Sequence, residues 1–88
     1  MKYFAAFLKM KDPTKSQDYR PRHLEFLEEG TKQGKIYARG RFADGAGGLV
    51  IYVAGSLEEA RQLAESDPYI SSGARSLELH EWEVKLPS

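Results

Sequence analysis

Residues 3–10 read YFAAFLKM, a run of aromatic and apolar residues that ends just before Asp12-Pro13. An apolar run followed by a turn-forming pair predicts a β-strand that leads into a loop. Side chains alternate between the two faces of a strand, so Tyr3 and Phe7 would share one face and the residues between them would supply the other. Both faces are apolar, and each therefore needs a covering layer.

The next segment, residues 18–34, predicts a helix, because its larger side chains recur at intervals of three and four residues. Asp18 is the predicted N-cap, and Pro21 would lie in the first turn, where its missing N–H costs nothing. Gly34 follows the last periodic residue and is predicted to adopt the left-handed conformation that ends many helices.

A hairpin follows this helix. Residues 35–42, KIYARGRF, predict a second strand, and the glycine-rich segment 43–48, ADGAGG, predicts the hairpin loop. Residues 49–54, LVIYVA, form a β-branched run that is again apolar on both faces. The third strand therefore matches the first in needing cover on two sides.

The last third of the chain predicts one more helix and one more strand. Ser56 and Glu59 have the spacing of a capping box, which marks the start of the second helix. Residues 76–86 alternate as a fourth strand, but the apolar parity changes between Leu79 and Trp82. This change indicates either a bulge or a switch of the buried face along the strand.

The order βαββαβ predicts an α+β, ferredoxin-like fold with an antiparallel four-stranded sheet and both helices on one face. A chain of 88 residues is short for two domains, so residues 1–88 are interpreted as a single domain. The helix-free face of the sheet would still carry apolar residues, an unusually large exposed patch for a monomer. We therefore expect a homodimer through this open face, and a higher oligomer is compatible with it.

Composition excludes several classes of function. The chain has no cysteine and only two histidines, so neither a thiolate site nor a metal site is expected, and no cofactor is predicted. Lys plus Arg and Asp plus Glu number 13 each, which argues against a nucleic-acid partner. Only six apolar residues in a row precede Lys9, too few for a signal peptide or a membrane span, so we expect a cytoplasmic protein without a membrane partner.

His23 is the first candidate for chemistry. Its helical spacing from Tyr19 and Leu27 points it along the buried stripe, where an imidazole could act as a positioned acid or base. The competing interpretation is a half-buried histidine bonded to a loop carbonyl, because histidines also serve in plain structural networks.

The other polar candidates have structural explanations as well. Asp44 lies in an Asp-Gly pair typical of turns, and Asp67 precedes Pro68, where it would end the second helix. Arg20 and Arg41 could hold a carboxylate or phosphate through a bidentate fork. Most of the 13 basic residues must nevertheless be solvated surface.

Taken together, these segments resemble the YciI-like (YCII-related) family of small bacterial proteins over nearly the whole chain. The resemblance rests on the order and spacing of short motifs rather than on any single one. The motifs are Arg20-Pro21-x-His23-Leu24, Gly34, Gly40, Asp44, Gly47-Gly48, Ser56-Leu57-Glu58, Ala60, Asp67-Pro68-Tyr69 and Gly73.

The resemblance implies a dimeric α+β barrel and a pocket between sheet and helices in which a histidine and an aspartate act as an acid/base pair. Carried over by motif, these residues are His23 and Asp44. The predicted substrate-binding residues are Arg20, Arg41, Asp67 and Tyr69. The family commonly has Gly-Pro where this chain has Gly40-Arg41, and this difference leaves open the direction in which the Asp44 side chain points. Arg41 is itself a candidate contact for a substrate anion.

Three functions remain open at this point. The first is a cofactor-independent enzyme of the lyase, isomerase or dehydrohalogenase type, acting on a small ligand for which an aromatic or hydroxylated compound is one option. The second is a non-catalytic dimer that binds a small ligand or serves as an accessory domain. The third, an RNA-recognition module, is the least favoured, because residues 47–54 lack the aromatic pattern that stacks bases.

Overall fold

The fold is a four-stranded sheet with helices on one face. The computed structural model describes residues 1–87, and its strands are β1 (Lys2–Met10), β2 (Ile36–Arg41), β3 (Gly47–Ala54) and β4 (Arg75–Trp82). The helices are α1 (Pro13–Lys32), α2 (Leu57–Glu65) and the single turn α3 (Pro68–Ser71). The strand order is β2-β3-β1-β4 and every neighbouring pair is antiparallel, so the predicted α+β, ferredoxin-like fold is confirmed.

The hydrophobic core lies between the sheet and the helices. The two central strands, β1 and β3, alternate as expected, and their helix-facing side chains are almost completely buried. Leu27 of α1 and two alanines of α2 close the layer from above. The residues that these elements contribute to the core cluster are Phe4, Ala6, Leu8, Leu27, Val50, Tyr52, Ala54, Ala60 and Ala64.

The opposite sheet face is aromatic. Tyr3 packs edge-to-face against Tyr37, and Phe7 against Phe42, with ring centroids 5.2 and 5.3 Å apart. Trp82 pairs with Tyr3 across β4 and β1 and is 44% exposed. The β1–β4 register runs without interruption, so the parity change in the fourth strand is not a bulge, and Trp82 lies beside Tyr3 at the open face.

The start of α1 differs from the prediction. The helix begins at Pro13, and the N-cap is Asp12, whose Oδ1 accepts a hydrogen bond from Lys15 N at 3.1 Å. The prediction of Asp18 as N-cap was wrong, because Asp12-Pro13 already supplies a capping carboxylate and a first-turn proline. Pro21 therefore lies inside the helix. The C-terminal end of α1 agrees with the prediction, because Gly34 adopts the left-handed conformation with φ +74°.

A third helix was not predicted. The second helix, α2, ends at Glu65, and Asp67 does not simply stop it but caps the new turn α3. This short turn lies between α2 and β4 and brings Asp67 and Tyr69 beneath α1.

Candidate functional site

A cavity of about 350 Å³ opens between α1 and the ends of β2 and β3. A second hollow of about 280 Å³ adjoins it, and the two share Arg20, Arg41, Tyr69 and Arg75 in their walls. Apolar side chains of β1 and α1 line the first cavity together with several polar side chains, a mixture that is usual for small-molecule sites. Its lining residues include Leu8, Arg20, His23, Leu24, Leu27, Arg39, Arg41, Tyr69 and Arg75.

His23 lines this cavity and is held from behind by a buried carboxylate. Its Nδ1 lies 2.8 and 2.9 Å from Oδ1 and Oδ2 of Asp67, which is fully buried. An ionised carboxylate only accepts hydrogen bonds, so Nδ1 must donate the proton. The lone pair of a neutral imidazole is then on Nε2, the nitrogen that the carboxylate does not occupy.

The local sequence Asp67-Pro68-Tyr69 explains why the carboxylate is there. Asp67 is the N-cap of α3, with extended backbone angles, and its Oδ1 also accepts a hydrogen bond from Tyr69 N at 2.9 Å. Pro68 fits the first helical position because its missing N–H needs no partner. The cap therefore helps to hold the Asp67 carboxylate in the position where it bonds His23.

Tyr69 forms the floor of the site. Its ring stacks on the His23 imidazole, with centroids 3.8 Å apart and planes inclined by 15°. The guanidinium carbon of Arg75 lies 4.3 Å from the same ring centroid. The imidazole covers one face of the Tyr69 ring at stacking distance, so the guanidinium lies against the other face. The phenol ring thus sets the spacing between an imidazole and a cation.

A second tyrosine lies deeper in the core. Burial, and then the nearby charge of Asp67, raise the pKa of the Tyr52 phenol above its usual range. Its Oη is the one buried side-chain polar atom of residues 1–87 without a hydrogen-bond partner. Tyr52 therefore remains protonated and does not serve as a base.

Residues 1–87 contain neither a cluster suited to a metal ion nor a helix that could span a membrane. No group of three or more His, Cys, Asp or Glu side chains is arranged to hold a metal ion. None of the helices in this part of the chain is both long and apolar enough to cross a membrane.

Comparison with known proteins identifies the family. The model of the YCII-related domain matches residues 1–83. The chain belongs to the YCII-related domain family. This domain is 32% identical over 83 residues to the uncharacterized protein YjpA of Bacillus subtilis (strain 168), with 94% of this chain and 98% of YjpA covered.

A solved structure has the same fold as this YCII-related domain. It is the 5-chloro-2-hydroxyhydroquinone dehydrochlorinase TftG from Burkholderia phenoliruptrix AC1100, in complex with 2,5-dihydroxybenzoquinone. The TM-score is 0.76, and 92% of this chain and 93% of that chain are covered. The sequence identity is 22%, so this likeness concerns the fold alone.

Asp44 is not the carboxylate that bonds His23 in the YCII-related domain. It lies in the hairpin loop, where its Oδ1 accepts a hydrogen bond from Ala46 N at 2.9 Å and closes a turn. The partner of His23 is Asp67, which the sequence analysis had assigned to substrate binding. A catalytic role for Asp44 stays a prediction.

The other predicted site residues gather around the cavity. Arg20, Arg41 and Tyr69 line it, and Asp67 lies behind His23. Sequence analysis missed Arg75, the first residue of β4. The alternation of that strand was the available signal, because position 75 has the same parity as Leu77 and Leu79, which pack against the core.

Proposed function

We propose that this YCII-related chain is a small-molecule enzyme in which His23 transfers a proton at Nε2 and Asp67 orients the imidazole. The observation that carries the proposal is the buried Nδ1–carboxylate hydrogen bond of 2.8 Å behind a histidine that lines a cavity. A base of this kind needs a fixed tautomer and a free nitrogen facing the ligand.

The proposed step is proton abstraction beside a leaving or migrating group. Nε2 takes a proton from the substrate, and the electron pair of the broken bond forms a double bond while the leaving group departs with its own pair. The Asp67 carboxylate stabilises the resulting imidazolium, and the proton then passes to solvent or returns to the substrate in an isomerisation. Lyase and dehydrochlorinase reactions follow this course, whereas an isomerisation shares only the proton abstraction, because no group leaves and the proton is returned at another atom.

The comparisons support an enzyme of this kind. TftG, which has the same fold, is a dehydrochlorinase and was solved with 2,5-dihydroxybenzoquinone, a small planar ligand. A cavity of about 350 Å³ is at the lower end of the size range of small-molecule sites. A small, aromatic or hydroxylated substrate is therefore the leading option for this chain.

The tautomer of His23 tests the proposal without knowledge of the substrate. ¹⁵N NMR of the neutral ring should find the proton on Nδ1 in the wild type and in Asp44→Asn, but not in Asp67→Asn. His80 supplies the internal reference for an exposed imidazole. If the wild-type ring carries its proton on Nε2, the nitrogen that faces the ligand is no base and the proposal fails.

Turnover gives the second test. Chloride release from 5-chloro-2-hydroxyhydroquinone should fall by roughly 10²-fold or more in His23→Gln, because general base catalysis typically contributes that much. Asp67→Asn should cause a loss of similar order while the protein remains folded. Equal rates in the wild type and in His23→Gln would rule out the assigned role.

A non-catalytic ligand-binding or accessory domain is the second candidate. It is favoured by the double use of Asp67, which caps α3 as well as bonding His23, since a structural pair needs no chemistry. In that case His23→Gln lowers stability, and small ligands bind the cavity without being converted. Mass spectrometry of co-purified small molecules would then find ligands that fit the cavity in size but no reaction products formed from them.

A homodimer through the open sheet face belongs to the same proposal. The face carries Tyr37 and Trp82, which are 51% and 44% exposed, beside the packed rings of Tyr3, Phe7 and Phe42. Sedimentation velocity should give twice the 9.9 kDa mass of one chain, and Tyr37→Arg should shift the protein toward the monomer. A cytoplasmic location stays a prediction.

A further inference from the structure

The walls of the two cavities are positively charged although the chain as a whole is neutral. Four arginines reach the first cavity and three of these also line the second, whereas neither wall contains an aspartate or a glutamate. A concave site lined by charges of one sign concentrates ligands of the opposite sign. The arginines are Arg20, Arg39, Arg41 and Arg75.

Arg75 differs from the other three because it is buried. Only 9% of the residue is exposed, whereas Arg20, Arg39 and Arg41 are exposed around the opening. Its Nε and Nη2 donate hydrogen bonds to Ser16 Oγ at 3.3 and 3.0 Å. Its guanidinium also lies against the Tyr69 ring.

Arg75 lines both cavities, and its hydrogen bonds to Ser16 do not use Nη1. Gly48 lies next to its Nη1, and a Cβ on Gly48 would come within 3.6 Å of that atom. Four elements thus hold the guanidinium: α1 through Ser16, α3 through Tyr69, β3 through Gly48, and β4 itself. A group fixed in this way needs little reorganisation to receive a ligand.

No carboxylate of residues 1–87 is in direct contact with this guanidinium. Within residues 1–87, no carboxylate oxygen lies within 4.0 Å of a guanidinium nitrogen of Arg75. Ser16 offers only a neutral hydroxyl, and an arginine does not escape the cost of burial by losing its proton. Buried charges are normally paired, since desolvation of a single ion is expensive.

We infer that the cavity takes an organic anion and that Arg75 binds its carboxylate. Arg20 and Arg41, which line both cavities beside Arg75, help to neutralise the group, and Leu8, Leu24 and Leu27 contact the hydrocarbon part. The Tyr69 ring separates the anion from His23, so the carboxylate marks one end of the ligand and the reacting atom the other. This inference rests on the proposed function, because it names the substrate class of the same cavity.

Matched ligands test the inference directly. The probes are 2,5-dihydroxybenzoate and its uncharged counterpart hydroquinone, and the readout is binding followed by NMR, including the Arg75 Nε–H signal. The carboxylate should bind at least about tenfold more tightly, because hydrogen bonds to a charged partner contribute on this scale. Its binding should also weaken as salt is raised.

Arginine variants locate the effect. Arg75→Gln should remove the preference for the carboxylate, whereas Arg61→Gln, a change at an exposed position of α2, should leave it intact. Arg75→Lys, which keeps the charge but not the fork, should give an intermediate preference. Any of three results would overturn the inference. The two probes could bind equally well, Arg75→Gln and Arg61→Gln could have equal effects, or the carboxylate could fail to bind at millimolar concentration.

A ligand-free arm covers the case in which a variant folds poorly. Replacing an unpaired buried charge by a side chain of similar length should leave the melting temperature of Arg75→Met unchanged or raise it. A large fall would mean that the guanidinium is a structural group, and the inference would be wrong. If His23→Gln still binds the carboxylate and the wild type shows no turnover, only the proposed function would be overturned.

Discussion

The chain contains two histidine–carboxylate pairs in very different surroundings. His23 and Asp67 are 9% and 0% exposed in their side chains, and their atoms approach to 2.8 Å. His80 and Glu78 on β4 approach to 3.0 Å but are 66% and 45% exposed. The bond lengths are alike, so the difference between the pairs lies in the water around them.

The contrast shows why only one of the two pairs is shielded from water and salt. At His80 both partners keep their hydration, and the attraction between them is screened by water and salt. At His23 the carboxylate is fully buried, and it accepts hydrogen bonds from the imidazole and from Tyr69 N. Burial thus makes the tautomer of His23 obligatory, whereas His80 is free to turn away.

Breaking the buried pair should have the largest effect on stability. Asp67→Ala should lower the free energy of unfolding by about 3 kcal/mol, because removing one partner of a buried pair leaves the other unsatisfied and a helix cap is lost as well. Urea denaturation measures this change.

Asp44→Ala is the matched control for that experiment. It removes only the turn bond to Ala46 N and should cost about 1 kcal/mol. Similar values for the two variants would mean that the buried pair is no more tightly coupled than an exposed turn.

The environment of Asp67 can be examined with a smaller change. Tyr52→Phe removes the buried hydroxyl that lacks a partner, so the free energy of unfolding should stay the same or rise by up to about 1 kcal/mol. Thermal unfolding at neutral pH is the measurement. A loss of more than that amount would reveal that the hydroxyl donates to a partner such as Asp67 or a bound water.

The exposed pair should give the smallest effect. Hydrogen bonds from Lys9 first and His80 second lower the pKa of Glu78, so its contribution to stability is present above the ordinary glutamate pKa and is lost as the pH falls through the lowered value. Glu78→Gln should therefore reduce the melting temperature slightly at neutral pH and not at all in acid. A difference that grows on acidification, or that persists in high salt, would contradict this assignment.

Most of the fold was predictable from local pattern. The apolar runs of β1 and β3, the glycine-rich hairpin loop and the Ser56 cap each depend on neighbouring residues, and all three are present. The start of α1 was missed because Asp12-Pro13 was interpreted as part of a loop, whereas it supplies the N-cap and the first-turn proline of the helix. The turn α3 escaped notice because one turn of helix leaves no periodicity to detect.

The candidate site was predictable only in part. His23 was found because helical spacing places it on the buried face of α1. Its carboxylate was assigned to Asp44 by motif, whereas the structure brings Asp67 to it. Arg75 was overlooked because a single arginine at the start of a strand resembles any of the surface arginines.

The strands, the two longer helices, their order and the faces they bury are predictable from local pattern, since they follow from side-chain period and from caps a few residues apart. Which polar groups meet depends instead on the tertiary packing. His23 and Asp67 are 44 residues apart in the chain, and Ser16 and Arg75 are 59 apart. Such contacts depend on how α1 packs against α3 and β4, because a hydrogen bond requires atoms to lie within about 3 Å, and no local pattern specifies that distance.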